Sequence, residues 1–321
     1  MQLRPLTERI LERLPGQAWA WIGAWALVPW ANAGANALLG TSGRIWDQSR
    51  LLALLNYGAL SFAVVVTVWG TARIARRLET LRASTLRDGD ACCERFRELN
   101  NPWGPVAIAI AVAIAFAVAA YTRDGWGAAL LRGGTWFVLG IALGTFLWAY
   151  ASLQLGLHRL GRNRLLPNAN SVDPSLGLRP LGSIAFTGLW MLLIWLIPVV
   201  WTGLPDVVGL VIALVVLGGG IATFFLSMYR LHRQMIAVKD REVAIARSLY
   251  GQAYEPLRRE HTLDVLEHQQ SLLGAADALE KRARAIHEWP VDEGTFARVA
   301  AIATSVTAAT IGRLLLEPLG L

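Results

Sequence analysis

Six long apolar blocks, none of which contains a Lys, Arg, Asp or Glu, dominate the first 229 residues. They cover 17–39, 51–72, 105–121, 134–156, 181–202 and 207–229. A helix needs about 20 apolar residues to cross a bilayer, because the hydrocarbon core is about 30 Å thick. A backbone in lipid must also satisfy its own hydrogen bonds, which favours helices. The pattern therefore predicts an all-α, polytopic integral membrane helix bundle with six spans in residues 1–229.

Two further signals lie at the start of the chain. Leu6, Ile10 and Leu14 recur every four residues beside arginines, and Pro15 follows them. This spacing predicts a short amphipathic helix that lies at the membrane interface. Pro29 lies inside the first apolar block, and a kink is expected there because proline interrupts helical hydrogen bonding.

The chain changes character after Arg230, where charged residues mix with apolar ones at helical spacing. We expect a helix to continue out of the sixth block and to break at Gly251. In the helix predicted next, apolar side chains recur every seven residues, at Val265, Leu272, Leu279 and Ile286. This seam predicts either a coiled coil between subunits or an antiparallel hairpin with the preceding helix. The two alternatives stay open for the region 230–291.

A last helix is predicted in residues 292–321, with Asp292 as its N-cap. Arg298 and Arg313 bracket an uncharged centre rich in Ala and Thr. That centre is about 14 residues, or about 21 Å of helix. Three placements fit this length: a seventh span, a helix on the membrane interface, or a helix packed among the neighbouring helices.

Arginines are distributed unequally between the connections, and this predicts the orientation. Seven lie between the second and third blocks, and four lie between the fourth and fifth. The other connections hold two, two and none. Arginine-rich connections stay in the cytoplasm. The chain is therefore predicted to be a multi-pass protein of the plasma (inner) membrane, with its N-terminus and the region after Arg230 in the cytoplasm.

The composition agrees with a membrane protein and argues against several other classes. Hydrophobic residues make up 55% of the chain, charged residues only 17%, and the formal net charge is +7. Because most arginines flank apolar blocks, they predict membrane anchoring and no nucleic-acid partner. No catalytic or cofactor-binding motif is present, so neither an enzyme nor a cofactor is predicted. His261, Asp264 and His268 share a helix face, which is more typical of a solvated surface than of a metal site.

Polar and small residues inside the blocks offer candidate sites with two interpretations each. Asn32 and Asn36 lie one turn apart and predict either a polar pathway or hydrogen bonds between helices. Gly140 and Gly144 begin a ridge of small residues with four-residue spacing, which predicts close helix packing within or between subunits.

Three functions are compatible with these patterns. The first is an oligomeric ion channel, assembled from identical subunits through the helices after Arg230. Its pore would be lined by the hydroxyls of Thr304, Thr307 and Thr310. The alternative is a non-conducting scaffold or sensor that couples to a cytoplasmic partner. The third is an uncoupled transporter, since the blocks lack the acidic residues and histidines that ion-coupled transport uses.

Overall fold

The fold was analysed in a computed structural model of the chain. The structure describes residues 3–38, 50–84, 96–161, 175, 178–202, 207–257, 263–289 and single positions between 294 and 308. Every regular element in these residues is helical. The elements are α1 (Leu6–Arg13), α2 (Ala18–Ala26), α3 (Val28–Leu38), α4 (Arg50–Ser84), the 3₁₀ turn η1 (Arg97–Asn100), α5 (Trp103–Leu160), α6 (Arg179–Thr202), α7 (Val207–Leu257) and α8 (Leu263–Ala285).

Helix α1 confirms the amphipathic helix predicted at the N-terminus, and it docks onto the bundle. Thr7 is fully buried, with its hydroxyl 3.5 Å from the hydroxyl of Thr71 on α4. Just before α1, the backbone N–H of Leu3 donates to Glu79 Oε1 at 2.9 Å. Helix α1 therefore packs against the end of α4 that carries the arginines.

The first apolar block is interrupted, so it forms two short helices. Helix α2 ends at Ala26 and α3 begins at Val28, with lengths of 9 and 11 residues. Pro29 lies in the first turn of α3, where the missing proline N–H leaves no bond unmade. The expected kink is therefore observed as a break at Leu27. Neither piece alone reaches the roughly 20 residues that a helix needs to cross the hydrocarbon core.

Among the residues that the structure describes, four helices are long and apolar enough to cross a membrane: Leu54–Glu79, Trp103–Leu160, Arg179–Leu196 and Leu214–Glu255. The six or seven predicted spans are not confirmed by this finding. One reason is the break at Leu27. The other is that the third and fourth apolar blocks lie in the single element α5.

Helix α5 reverses direction at Gly125, which divides it into the arms 103–124 and 126–160. Gly125 has φ 82° and ψ −170°, a backbone conformation that favours glycine. The arms then run antiparallel, because Gly140 contacts Ala109 and Gly133 contacts Ala117. The rings of Phe116 and Trp136 stack across the arms with centroids 3.9 Å apart.

Helices α4, α6 and α7 complete the bundle with the second arm of α5. Helix α6 packs antiparallel to α4: Trp195 Nε1 donates to Thr67 Oγ1 at 2.7 Å, and Met191 lies against Gly70. On its other side, Leu192 of α6 lies against Gly220 of α7. Large, fully buried side chains fill the centre, among them Phe146, Leu153, Leu157, Ile184, Leu189 and Phe224.

Helix α7 continues without interruption from the bundle to Leu257, and α8 returns along it. The continuation is as predicted, but the predicted break at Gly251 was wrong. A single glycine costs a helix only about 1 kcal/mol, and buried Ala246 and Ala253 lie on either side of this position. We call α7 from residue 230 together with α8 the C-terminal hairpin.

Candidate coupling site at the base of the C-terminal hairpin

The second arm of α5 and the middle of α7 run parallel along a seam of polar contacts. Tyr150 OH donates to the carbonyl oxygen of Gly220 at 2.9 Å. One turn further on, the Ser227 hydroxyl donates to Gln154 Oε1. Small hydroxyl and amide groups that bond across helices are typical of helix contacts in membranes. This seam fixes α7 in register with α5 up to the end of the bundle.

At the end of the seam, α5 stops where α7 continues. Gln234 Nε2 donates at 2.6 Å to the carbonyl oxygen of Gly161, the residue after α5. An added Cβ at Gly161 would lie 2.6 Å from Cβ of Arg230, so only glycine permits this approach. Because the last carbonyls of a helix lack intrahelical partners, Gln234 caps α5 from the side.

The end of α8 folds back onto α7 at the same level. After α8, the ring of Trp289 stacks on His232 with centroids 4.1 Å apart and planes 13° apart. The ring of Phe225 also contacts Trp289, edge-on and with ring centroids 6.1 Å apart. Trp289 packs against the main hydrophobic core of the bundle. Aromatic pairs of this kind add about 0.5–1.5 kcal/mol to the burial of their surfaces.

Polar groups of Glu288 also contact α7 at this level. The carbonyl oxygen of Glu288 lies 2.7 Å from His232 Nδ1, and because a carbonyl only accepts, Nδ1 carries the proton. The carboxylate of Glu288 accepts from Lys239 Nζ at 3.0 Å. This hydrogen bond and the charge of Lys239 hold the pKa of Glu288 below its ordinary value of 4.5. We call His232, Lys239, Glu288 and Trp289 the hairpin clamp.

Above the clamp, α8 lies antiparallel along α7. Tyr250 OH lies 3.5 Å from Asp277 Oδ1. The earlier residue Lys239 pairs with the later residue Glu288, so the two segments run in opposite directions. Nearer the bundle, Leu231 and Met235 of α7 belong to the same buried core as Leu157 of α5. The base of the hairpin is therefore part of the bundle core.

The structure shows the antiparallel alternative for the seam of α8. Ile286 is buried, and Leu272 and Leu279 are partly buried, within a single chain. The side chain of Val265 lies outside the described residues. These four side chains were predicted as an oligomerisation surface, and that role stays a prediction.

The predicted pore-lining residues fall into two groups. Asn32 and Asn36 are joined to each other and to α5: Thr135 Oγ1 donates to Asn32 Oδ1 at 3.1 Å, and Asn36 Nδ2 donates to the carbonyl oxygen of Asn32 at 2.8 Å. The bond from Thr135 to Asn32 joins two helices, which is one of the two interpretations of this asparagine pair. Thr304 is exposed on a helix, whereas Thr307 and Thr310 lie outside the described residues.

The small residues of α5 pack inside the chain. Gly144 lies against the carbonyl oxygen of Pro105 in the other arm, and Gly156 lies against the ring of Phe96. The predicted close packing is therefore confirmed for contacts within the chain. In the part of the chain that the structure describes, no group of three His, Cys, Asp or Glu side chains could hold a metal ion.

The sequence patterns did not predict the clamp. His232 and Trp289 are 57 positions apart, and neither belongs to a recognisable motif. The only local signal was that Trp289 precedes Pro290, a dipeptide at which a helix is expected to stop. Comparison of the chain with protein-family models, curated proteins and solved structures finds no match.

Proposed function

We propose that this protein is a membrane scaffold or sensor that couples a multi-pass bundle to a cytoplasmic partner through the C-terminal hairpin. The observation that carries the proposal is the continuity of α7. Its 51 residues form one helix, about 77 Å long at 1.5 Å per residue. Helix α7 packs on α5 in the bundle and on α8 in the hairpin. We expect it to move as a rigid body, so that a movement in the bundle also displaces the hairpin.

We also propose a topology in which the arms of α5 cross the membrane separately. Each arm exceeds about 20 residues, the length needed for the hydrocarbon core. With α4, α6 and α7 this gives five crossings, and the pair α2 and α3 supplies the sixth. The arginine distribution supports placing the N-terminus and the C-terminal hairpin in the cytoplasm.

The continuity of α7 is testable with two spin labels on that helix. Leu226→Cys lies in the bundle and Gln252→Cys lies in the hairpin, and both side chains are exposed. The labels are 26 positions apart, so about 39 Å is expected along the helix axis. In lipid nanodiscs, with Cys92 and Cys93 replaced by Ser, pulsed dipolar spectroscopy should give one narrow distance distribution.

A helix-breaking variant supplies the comparison. Ala237 is exposed on α7, so Ala237→Pro should broaden and shorten the distribution, and Ala237→Ser should leave it unchanged. If the parent protein already gives a distribution as broad as that of Ala237→Pro, α7 does not act as a rigid connection and the proposal fails.

A channel is the second candidate, and the exposed position of Thr304 is the observation compatible with it. Thr304 is exposed on its helix while its hydroxyl donates to the carbonyl oxygen of Ala300 at 2.9 Å. A threonine that satisfies its donor locally can face either lipid or a pore. In this candidate, identical subunits would surround the pore, with the helix of Thr304 as its lining and ions as the cargo.

Current measurements separate the two candidates. Purified protein in a planar bilayer with asymmetric KCl should conduct if the second candidate is correct. Thr304→Trp should then block the current, whereas Thr304→Ser should leave it unchanged. The oligomer mass in detergent provides a second criterion. A loss of mass in the Leu272→Glu, Leu279→Glu double variant would support assembly through α8. An unchanged mass would assign that seam to the hairpin alone.

A further inference from the structure

A cavity of about 550 Å³ lies beside α1, and none of its lining residues belongs to the hairpin clamp. Its lining residues are Arg9, Arg97, Glu98, Asn100 and Asn101. This volume falls within the roughly 300–1,000 Å³ that small-molecule sites occupy. It differs from such sites in its lining, because every side chain that forms it is charged or carries an amide.

The walls of the cavity are held in place by hydrogen bonds that link three parts of the chain. Arg9 Nη2 donates to the carbonyl oxygen of Asn100 at 2.8 Å, which ties α1 to η1. Asn101 Oδ1 accepts from the backbone N–H of Trp103 at 3.0 Å and so caps α5. Trp148 Nε1 donates to the carbonyl oxygen of Glu98 at 2.7 Å. These hydrogen bonds within the chain hold the polar lining in place without a ligand.

The charge of the lining suits a phosphate group. Arg9 and Arg97 contribute two positive charges, and Glu98 contributes one negative charge. Arg97 is exposed and forms no ion pair or hydrogen bond with the residues that the structure describes. A guanidinium group presents several N–H donors in a planar fork that matches phosphate oxygens.

In the proposed topology, the cavity lies at the cytoplasmic surface of the membrane. Trp103 begins the apolar α5, and 77% of its surface is exposed, as expected for a tryptophan at the level of lipid headgroups. Arginines lie at this end of the bundle, among them Arg73 and Arg76 of α4, Arg159 near the end of α5, and Arg230 in the middle of α7. A phosphate in this cavity would leave the acyl chains of its lipid beside the apolar surface of α5.

We propose that this cavity binds the phosphate of a phospholipid headgroup through Arg9 and Arg97, with Glu98 accepting a hydrogen bond from the polar end of that headgroup. Glycerol and ethanolamine headgroups carry such a donor, whereas a choline headgroup has no N–H or O–H to donate. The carboxylate therefore selects among lipids, and the guanidinium groups supply the affinity.

Native mass spectrometry tests the binding directly. Purified protein is incubated with phosphatidylglycerol, phosphatidylethanolamine or phosphatidylcholine, and bound lipid is counted after detergent removal. Arg97→Gln should reduce the retention of the first two lipids at least tenfold. Arg247→Gln removes the same charge from an exposed position of the hairpin and should change nothing. Equal retention by the two variants would overturn the proposal.

Two further arms identify the source of the phosphate and the role of Glu98. Inorganic phosphate that displaces bound lipid from the parent protein would show that the site recognises the phosphate group alone. No displacement at millimolar phosphate would show that the lipid body contributes. Glu98→Gln should raise the retention of phosphatidylcholine relative to phosphatidylethanolamine. An unchanged ratio would overturn the selective role of Glu98. These results do not depend on the rigidity of α7.

Discussion

Gly144 determines how closely the two arms of α5 approach at their open end. A Cβ at this position would collide with the carbonyl oxygen of Pro105, and a backbone atom cannot move aside cheaply. We expect Gly144→Ala to lower the free energy of unfolding by about 1–3 kcal/mol, the usual cost of overpacking. Thermal unfolding in detergent measures the loss.

Gly134 provides the matched control on the same arm. No atom lies within 4 Å of a Cβ built at Gly134, and the residue is exposed. Gly134→Ala should therefore raise the free energy of unfolding by up to about 1 kcal/mol, because alanine is the better helix former. Equal effects of the two substitutions would contradict the observed packing.

Glu8 makes the docking of α1 sensitive to pH. Burial, followed by repulsion from Glu12, raises the pKa of Glu8 above its ordinary value of 4.5. A raised carboxyl pKa means that the folded state holds the proton more tightly, so stability falls as pH rises from 4.5 through the folded pKa. Glu8→Gln should remove this loss, because glutamine does not ionise.

The measurement is the melting temperature of the parent protein and of Glu8→Gln between pH 4 and pH 7. The difference in favour of Glu8→Gln should grow with pH across this range. The exposed carboxylate of Asp240 gives the control variant Asp240→Asn, which should show no such growth. A difference that is constant with pH would contradict the assigned role of Glu8.

At the scale of elements, the hairpin clamp decides whether α8 stays docked. Trp289→Ala removes the ring that contacts His232 and Phe225, and we expect a loss of about 2–3 kcal/mol because the ring is partly buried. Glu288→Gln breaks only an exposed ion pair and should have a much smaller effect.

Hydrogen exchange reports the opening of the clamp. In Trp289→Ala, the amides of 263–285 should exchange faster, whereas those of the second arm of α5 should be unchanged. Trp289→Phe should restore most of the protection, since a smaller ring can still stack on His232. Faster exchange throughout the bundle would show instead that Trp289 supports the whole core.

Some elements were predictable because their signals are local. The blocks of α4 and α6 follow from runs of apolar residues. The continuation of α7 follows from apolar residues at helical spacing, as does α1 from the spacing of Leu6 and Ile10. The run of α7 through Gly251 was not predicted, because burial of Ala246 and Ala253 against α8 outweighs a local preference. The parallel pairing of the second arm of α5 with α7 could not be predicted either. Helical periodicity shows which face of a helix is apolar, but it does not identify the helix that packs against that face.

The candidate sites were harder to predict than the fold. The clamp joins residues 57 positions apart, and the cavity beside α1 joins Arg9 to Arg97. Neither arrangement leaves a repeated spacing in the chain. In the bundle, by contrast, Asn32 and Asn36 were recognisable as a polar pair because helical periodicity alone puts them on one face.

For the whole molecule, the proposed topology predicts which positions can be labelled from each side. In a variant without Cys92 and Cys93, Trp126→Cys at the tip of α5 should react with an impermeant thiol reagent added outside intact cells. Gln252→Cys in the hairpin should react only after permeabilisation. Both side chains are exposed, so access to the reagent depends on the membrane alone.

Two other outcomes would change the topology. Labelling of Gln252→Cys in intact cells would reverse the orientation. Protection of Trp126→Cys on both sides would place the tip of α5 inside the bilayer, so that its arms would form a re-entrant hairpin. Trp103→Cys, at the opposite end of the first arm, serves as the control and should behave as Gln252→Cys does.

The turn at Gly125 also bears on how the protein is made. Because one residue reverses the chain, the connection between the arms of α5 is short, and we expect the arms to leave the translocation machinery together as a pair. The tip carries Asp124 and Arg132, whose ion pair measures 2.9 Å. Two opposite charges that travel as a pair lose less hydration energy on the way across than two separate ions do. A substitution that splits this pair should therefore delay insertion during synthesis, even where the finished protein tolerates it.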